Sequence, residues 1–130
     1  MYKAGLNIKT FEAKIILGAK VGYSKEDISP SQVRNAIKMA ARKVKDFTFS
    51  GTLTFAEIIV SGQKEYGEPA FLLESSIYPR YPQEKETFKK KIIEFTGNLL
   101  MLLKQERGGV RFTDETILIE TEYCKNPSIA

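Results

Sequence analysis

Apolar residues at the odd positions Ala13, Ile15, Leu17, Ala19 and Val21, with Lys14 and Lys20 between them, predict a half-buried strand over residues 13–23. Ile16 breaks the alternation, so the second face of this strand is expected to be partly covered. Ser29-Pro30-Ser31-Gln32 then reads as an N-cap serine, a proline at the first helical position and a glutamine able to complete a capping box. Behind it Val33, Ala36, Ile37, Ala40, Ala41 and Val44 recur at spacings of three and four, one apolar stripe that carries a helix to about residue 45.

From residue 47 to 55 the phenylalanines 47, 49 and 55 alternate with Thr48, Ser50, Thr52 and Thr54, and Ile58, Ile59 and Val60 carry the strand character onward. This alternation predicts that the three rings meet the helices. It slips at Ala56-Glu57-Ile58, where a bulge is expected. Glycine and proline punctuate residues 61–69 and predict a turn, followed by a shorter strand over residues 70–78. Tyr78-Pro79-Arg80-Tyr81-Pro82 must be extended, because each proline excludes helix from the residue before it. Glu84 and Glu86 then open a helix whose seam is Phe88, Ile92, Phe95, Leu99 and Leu102, and Gly108-Gly109 is expected to end it. Residues 110–123 read as strand with a turn at Thr113-Asp114-Glu115.

The order strand, helix, strand, strand, helix, strand is that of a ferredoxin-like βαββαβ sandwich, an α+β fold with two helices on one face of an antiparallel sheet. The 130 residues are expected to form one domain, with residues 1–12 as an arm or extra strand and 124–130 as a loose tail. A chain of this size buries enough surface to need neither metal nor disulfide.

Composition narrows the chemistry. There is no histidine, which excludes imidazole bases and ligands, and Cys124 stands alone, so no metal site or cofactor is expected. Gly18 and Gly22 lack the spacing of a phosphate-binding loop and are read as a bend or a close contact. The longest apolar run, Leu99-Leu100-Met101-Leu102-Leu103, is far short of the roughly 20 residues of a membrane helix, and a cytoplasmic protein without membrane contact is the expectation.

Charge is unevenly spread. Residues 29–45 carry five bases and no acid, residues 46–82 five acids and two bases, and residues 108–130 four acids and two bases. This predicts a basic helical layer over an acidic sheet layer. Arg34, Lys38, Arg42 and Lys45 align on one side of the first helix, and Lys89, Lys90 and Lys91 open the second. Such a face could contact nucleic-acid phosphates, or simply be solvated. Glu57 and Glu74, in otherwise apolar strands, could approach each other across a hairpin and share acid–base work in a cleft with Tyr78 and Tyr81.

Gly67-Glu68-Pro69-Ala70, the long second helix and Val110-Arg111-Phe112-Thr113-Asp114 resemble the second half of tautomerases related to macrophage migration inhibitory factor. That resemblance implies an N-terminal proline amine as general base. The chain begins Met1-Tyr2, so no activity is carried over. The leading expectation is therefore a non-enzymatic module that self-associates through Leu99, Leu100, Met101 and Leu103 and the threonine-rich sheet face. Nucleic-acid binding through the basic face is the alternative, and a small-ligand enzyme built on strand carboxylates the third.

Overall fold

The computed structural model describes residues 1–18, 27–61 and 66–124. Along the chain lie β1 (Glu12–Gly18), α1 (Pro30–Arg42), β2 (Gly51–Val60), β3 (Tyr66–Ser76), α2 (Lys85–Leu102), β4 (Arg107–Phe112) and β5 (Thr116–Glu120). The five strands form one antiparallel sheet in the order β2-β3-β1-β4-β5. Its first four strands carry the expected ferredoxin-like order, and β5 extends the edge. Residues 1–10 are an exposed arm outside the sheet. Residues 19–23 of the first predicted strand, Gly22 among them, and residues 125–130 of the tail lie outside the described residues.

Period-two patterning decides which face of the sheet is covered. Ala13, Ile15 and Leu17 are buried, and their partners Leu73, Phe71, Val110 and Phe112 complete the inner face. The α1 stripe and the α2 seam close over it, with Val33, Ala36, Ala40, Ile92, Phe95 and Leu99 in one continuous cluster. α1 starts where the local signal places it: Gln32 N–H donates to Ser29 Oγ at 3.2 Å, and Ser29 N–H to Gln32 Oε1 at 2.7 Å.

Five expectations change. No bulge interrupts β2 at Ala56-Glu57-Ile58, which pair one to one with Ala70, Pro69 and Glu68. β2 begins only at Gly51, so Phe47 and Phe49 lie in the connection before it and pack on Phe95, at 5.4 and 5.0 Å between ring centroids. Phe55 is on the inner side but remains 53% exposed, edge-on to Phe71. The outer sheet face is mixed rather than acidic, because Lys14 stands between Glu74 and Arg111. Finally, α2 ends at Leu102, five residues before Arg107 opens β4, and Gly108-Gly109 belong to that strand.

The helix end is set by Lys104, which adopts φ 53°. Lys104 N–H bonds to the Met101 carbonyl at 3.1 Å and Gln105 N–H to the Leu100 carbonyl at 2.8 Å, the paired bonds that close a helix with a left-handed residue. Gly108 has a different task. A β-carbon there would stand 2.8 Å from Leu100 Cδ2, so its absence lets β4 approach α2.

A charged clamp ties the start of α2 to the β4–β5 turn. Lys85 Nζ lies 2.6 Å from Asp114, and Lys89 Nζ reaches both Asp114 and Glu115 while its stem is buried beside Phe112. The Lys85 and Lys89 ammoniums hold the Asp114 carboxyl below its ordinary range, and Glu115 foremost raises Lys89. A carboxyl depressed on folding stabilises fully above the ordinary carboxylate pKa of about 4 and loses that contribution as pH falls through the lower folded value. Thermal melts are therefore expected to show a steeper loss of Tm below about pH 4 in the wild type than in Asp114→Asn. Parallel curves would remove the clamp from acid stability.

Candidate functional site

Strand register separates the two carboxylates expected to work together. Glu57 pairs with Pro69, whereas Glu74 pairs with Thr52 and Lys14. Glu57 and Thr52 are five positions apart on β2, roughly 17 Å along the strand, and an odd offset puts them on opposite faces. Glu57 and Glu74 thus share no cleft. Tyr78 and Tyr81 do line one: Tyr81 N–H donates to the Tyr78 carbonyl at 3.0 Å, and both rings face a cleft of about 500 Å³ beside Ser75 and Lys91.

The basic residues divide. Arg34, Lys38, Arg42, Lys45 and Lys90 are exposed. Lys89 is committed to the Asp114–Glu115 clamp, and Lys91 donates to the Asp46 carbonyl at 2.9 Å. Of the apolar segment proposed as an interface, Leu99 and Leu100 are 0% exposed and Leu103 7%, with only Met101 reaching 37%. That segment fills the monomer's own core, because both sides of the helix end are covered, one by the sheet and one by the turn into β4.

Another constellation lies at the far end of the sheet, where sequence reasoning expected a turn. β3 begins at Tyr66, so Glu68 is a strand residue, two positions before the pair Ala70–Gly18 and on the same face. Pro69 stands beyond that last described pair of β1 with β3, a position where a strand tolerates proline. The bonds that close α2 bring Gln105 to the same place. Gln105 is buried, and its Nε2 donates to the Leu103 carbonyl at 3.3 Å, which turns Oε1 outward to Gly18. Thr121 Oγ1 donates to the Gln105 carbonyl and holds this backbone against the end of β5.

Glycine at position 18 lets the Glu68 and Gln105 side chains close in on the end of β1. A β-carbon there would lie 3.2 Å from Glu68 Oε1 and 3.3 Å from Gln105 Oε1. Two oxygens, one of them anionic, therefore converge on the Gly18 backbone, closer than a side chain there would comfortably allow. The sequence marked Gly18 for close packing, but neither Glu68 nor Gln105 carried a local signal. Their meeting depends on strand pairing and on the helix end.

Cys124 is partly buried rather than loose: Arg107 Nη2 donates to its sulfur at 2.9 Å, and the thiol contacts Glu120 at 3.2 Å. Among the described residues, no group of histidine, cysteine and carboxylate side chains could hold a metal ion, and no helix is long and apolar enough to cross a membrane.

No protein-family model matches this chain, and no curated protein does. Two solved structures are similar to it. A phage SAM lyase in complex with S-methyl-5'-thioadenosine superposes with a TM-score of 0.72 at 18% identity, covering 94% of this chain and 98% of its own. A phage SAM lyase in the apo state gives a TM-score of 0.67 at 20% identity, over 86% and 90% of the two chains. At such identity the likeness is one of fold. The expectation of a non-catalytic module does not stand, since both similar structures are enzymes; of the two surfaces it rested on, the Leu99–Leu103 run lies largely in the core, while Thr52 and Thr54 on the sheet face are exposed.

Proposed function

We propose that this chain is a small-ligand enzyme that binds S-adenosylmethionine at the Gly18–Glu68–Gln105 end of the sheet and cleaves it to S-methyl-5'-thioadenosine. The observation that carries the reading is the convergence of the Glu68 and Gln105 oxygens on the bare Gly18 position. S-adenosylmethionine is a sulfonium with an ammonium group, so the Glu68 carboxylate at this end of the sheet is complementary to it in charge. Similarity of fold to SAM lyases over nearly the whole chain supports the substrate class.

The chemistry suits a chain without histidine. A sulfonium is already an activated leaving group: as the substrate's own carboxylate oxygen bonds to the γ-carbon to close a lactone, the bond from that carbon to sulfur breaks, the electron pair goes to sulfur and a neutral thioether departs. The enzyme's task is then to hold one reactive conformer and exclude competing ones. Positive charge fades from sulfur as the bond breaks, so Glu68 and Gln105 favour the bound cation over the transition state and contribute chiefly to binding and orientation.

Incubation of the purified protein with S-adenosylmethionine, followed by chromatography and mass detection, is expected to show S-methyl-5'-thioadenosine accumulating. Gly18→Val is expected to abolish product formation while the far-ultraviolet spectrum is retained, because valine suits a strand but its β-carbon would push the Glu68 and Gln105 oxygens out of place. A wild-type protein that yields no thioether product overturns the reading.

A further inference from the structure

We propose that the cleft under Tyr78 and Tyr81 is a second ligand site, specific for a nucleoside monophosphate. It lies at the opposite end of β3 from Glu68. The eight positions from Glu68 to Ser76 alone span roughly 26 Å, so the two sites are independent.

Three features of the cleft point to this ligand. The first is a pair of aromatic rings kept out of the core. Tyr78 and Tyr81 are 61% and 70% exposed, yet their turn is closed by a backbone hydrogen bond, and Arg80 stands 5.8 Å from the Tyr81 ring. Fixed, exposed rings are platforms for a planar base. The second is size and lining. About 500 Å³ suits a small molecule, and Ser50, Ser75 and Gln83 offer polar groups to the edge of a base or sugar.

The third is the neighbouring pocket of about 380 Å³, which shares Asp46 and Lys91 with the cleft and adds Lys45 and Lys90. Lys91 is fixed at the junction by its bond to the Asp46 carbonyl, which uses one of the three donors of its ammonium. Three ammoniums face two carboxylates there, Asp46 and Glu94, for a net charge of +1. That small surplus offsets part of the charge of one phosphomonoester, about −2 at neutral pH, and a smaller share of the charge of a polyphosphate. A ring platform beside a lysine-lined pocket that admits a phosphate is the arrangement a nucleotide would use, and it gathers Lys45, Lys90 and Lys91 from two segments far apart in sequence.

The test is calorimetric titration with GMP, guanosine and a single-stranded DNA 12-mer. GMP is chosen because its base differs from the adenine of the ligand assigned to the other site. GMP is expected to bind about tenfold or more tightly than guanosine, and a Lys45→Gln/Lys90→Gln double variant to erase that difference. Tyr81→Ala is expected to weaken both by about tenfold, with Tyr81→Leu as the substitute if the alanine variant melts early. Glu68→Gln is expected to change neither. The proposal is overturned by absence of GMP binding at millimolar concentration, by equal binding of GMP and guanosine, by unchanged binding in the lysine and tyrosine variants, or by a 12-mer that binds where GMP does not.

Discussion

Glu68→Gln is expected to weaken S-adenosylmethionine binding by about 10- to 100-fold while leaving S-methyl-5'-thioadenosine within about threefold of the wild type. The substitution keeps the shape of the side chain and removes only its charge. S-adenosylmethionine carries a sulfonium and an ammonium, and the thioether product carries neither, so the difference between the two isolates the electrostatic part of recognition. Hydrogen bonds and contacts to a charged group contribute about 1.5–3 kcal/mol, which converts to the stated range. Gln105 and Gly18 are unchanged in the variant, so the loss reports the charge of Glu68. A parallel loss of both ligands would mean that Glu68 supports the shape of the site and not its charge preference. No loss of either would remove Glu68 from the site. A turnover assay adds a second readout, because loss of a group that favours the bound cation over the transition state raises KM without lowering kcat.

Leu100→Ala is expected to destabilise the fold by about 2–5 kcal/mol, and Met101→Ala by less than about 1 kcal/mol. The two residues are neighbours in one apolar run, but Leu100 is fully buried and Met101 is 37% exposed. Leu100 also lies where α2 meets β4, against the bare Gly108, so the surrounding backbone cannot collapse readily into the space it leaves. Its carbonyl receives the Gln105 N–H that closes the helix. Loss of packing at Leu100 is thereby coupled to the position of Gln105, and ligand binding should weaken along with stability. Chemical denaturation at two protein concentrations checks this. Equal effects at both positions, or a concentration-dependent midpoint lost in Met101→Ala, would restore an interface role to the run.

Much of the fold was legible because its signals are local. A capping box spans four residues, so Ser29 to Gln32 set the start of α1 without reference to the rest of the chain. Alternation in β1 likewise determined which residues face the core, since a strand's geometry alone assigns its two faces. The turn at Thr113-Asp114-Glu115 could be read for the same reason, and Phe112 N–H closes it by donating to the Glu115 carbonyl at 2.7 Å.

Residues 66–69 were misread because glycine and proline signal a turn locally, whereas ten consecutive pairs with β2 extend β3 through them. α2 was read too long because the left-handed residue that ends it is a lysine, and the glycines four and five residues later belong to a strand.

The candidate sites belong to this second category. By itself the sequence determined the elements, their order, the buried stripe of each and the absence of imidazole chemistry. Only the tertiary structure decided that Glu57 and Glu74 are on opposite faces, that Lys89 is spent in a clamp, and that Glu68 and Gln105 meet over Gly18. Propensity and capping act over about four residues, while register, burial and the convergence of side chains are set by partners tens of residues away.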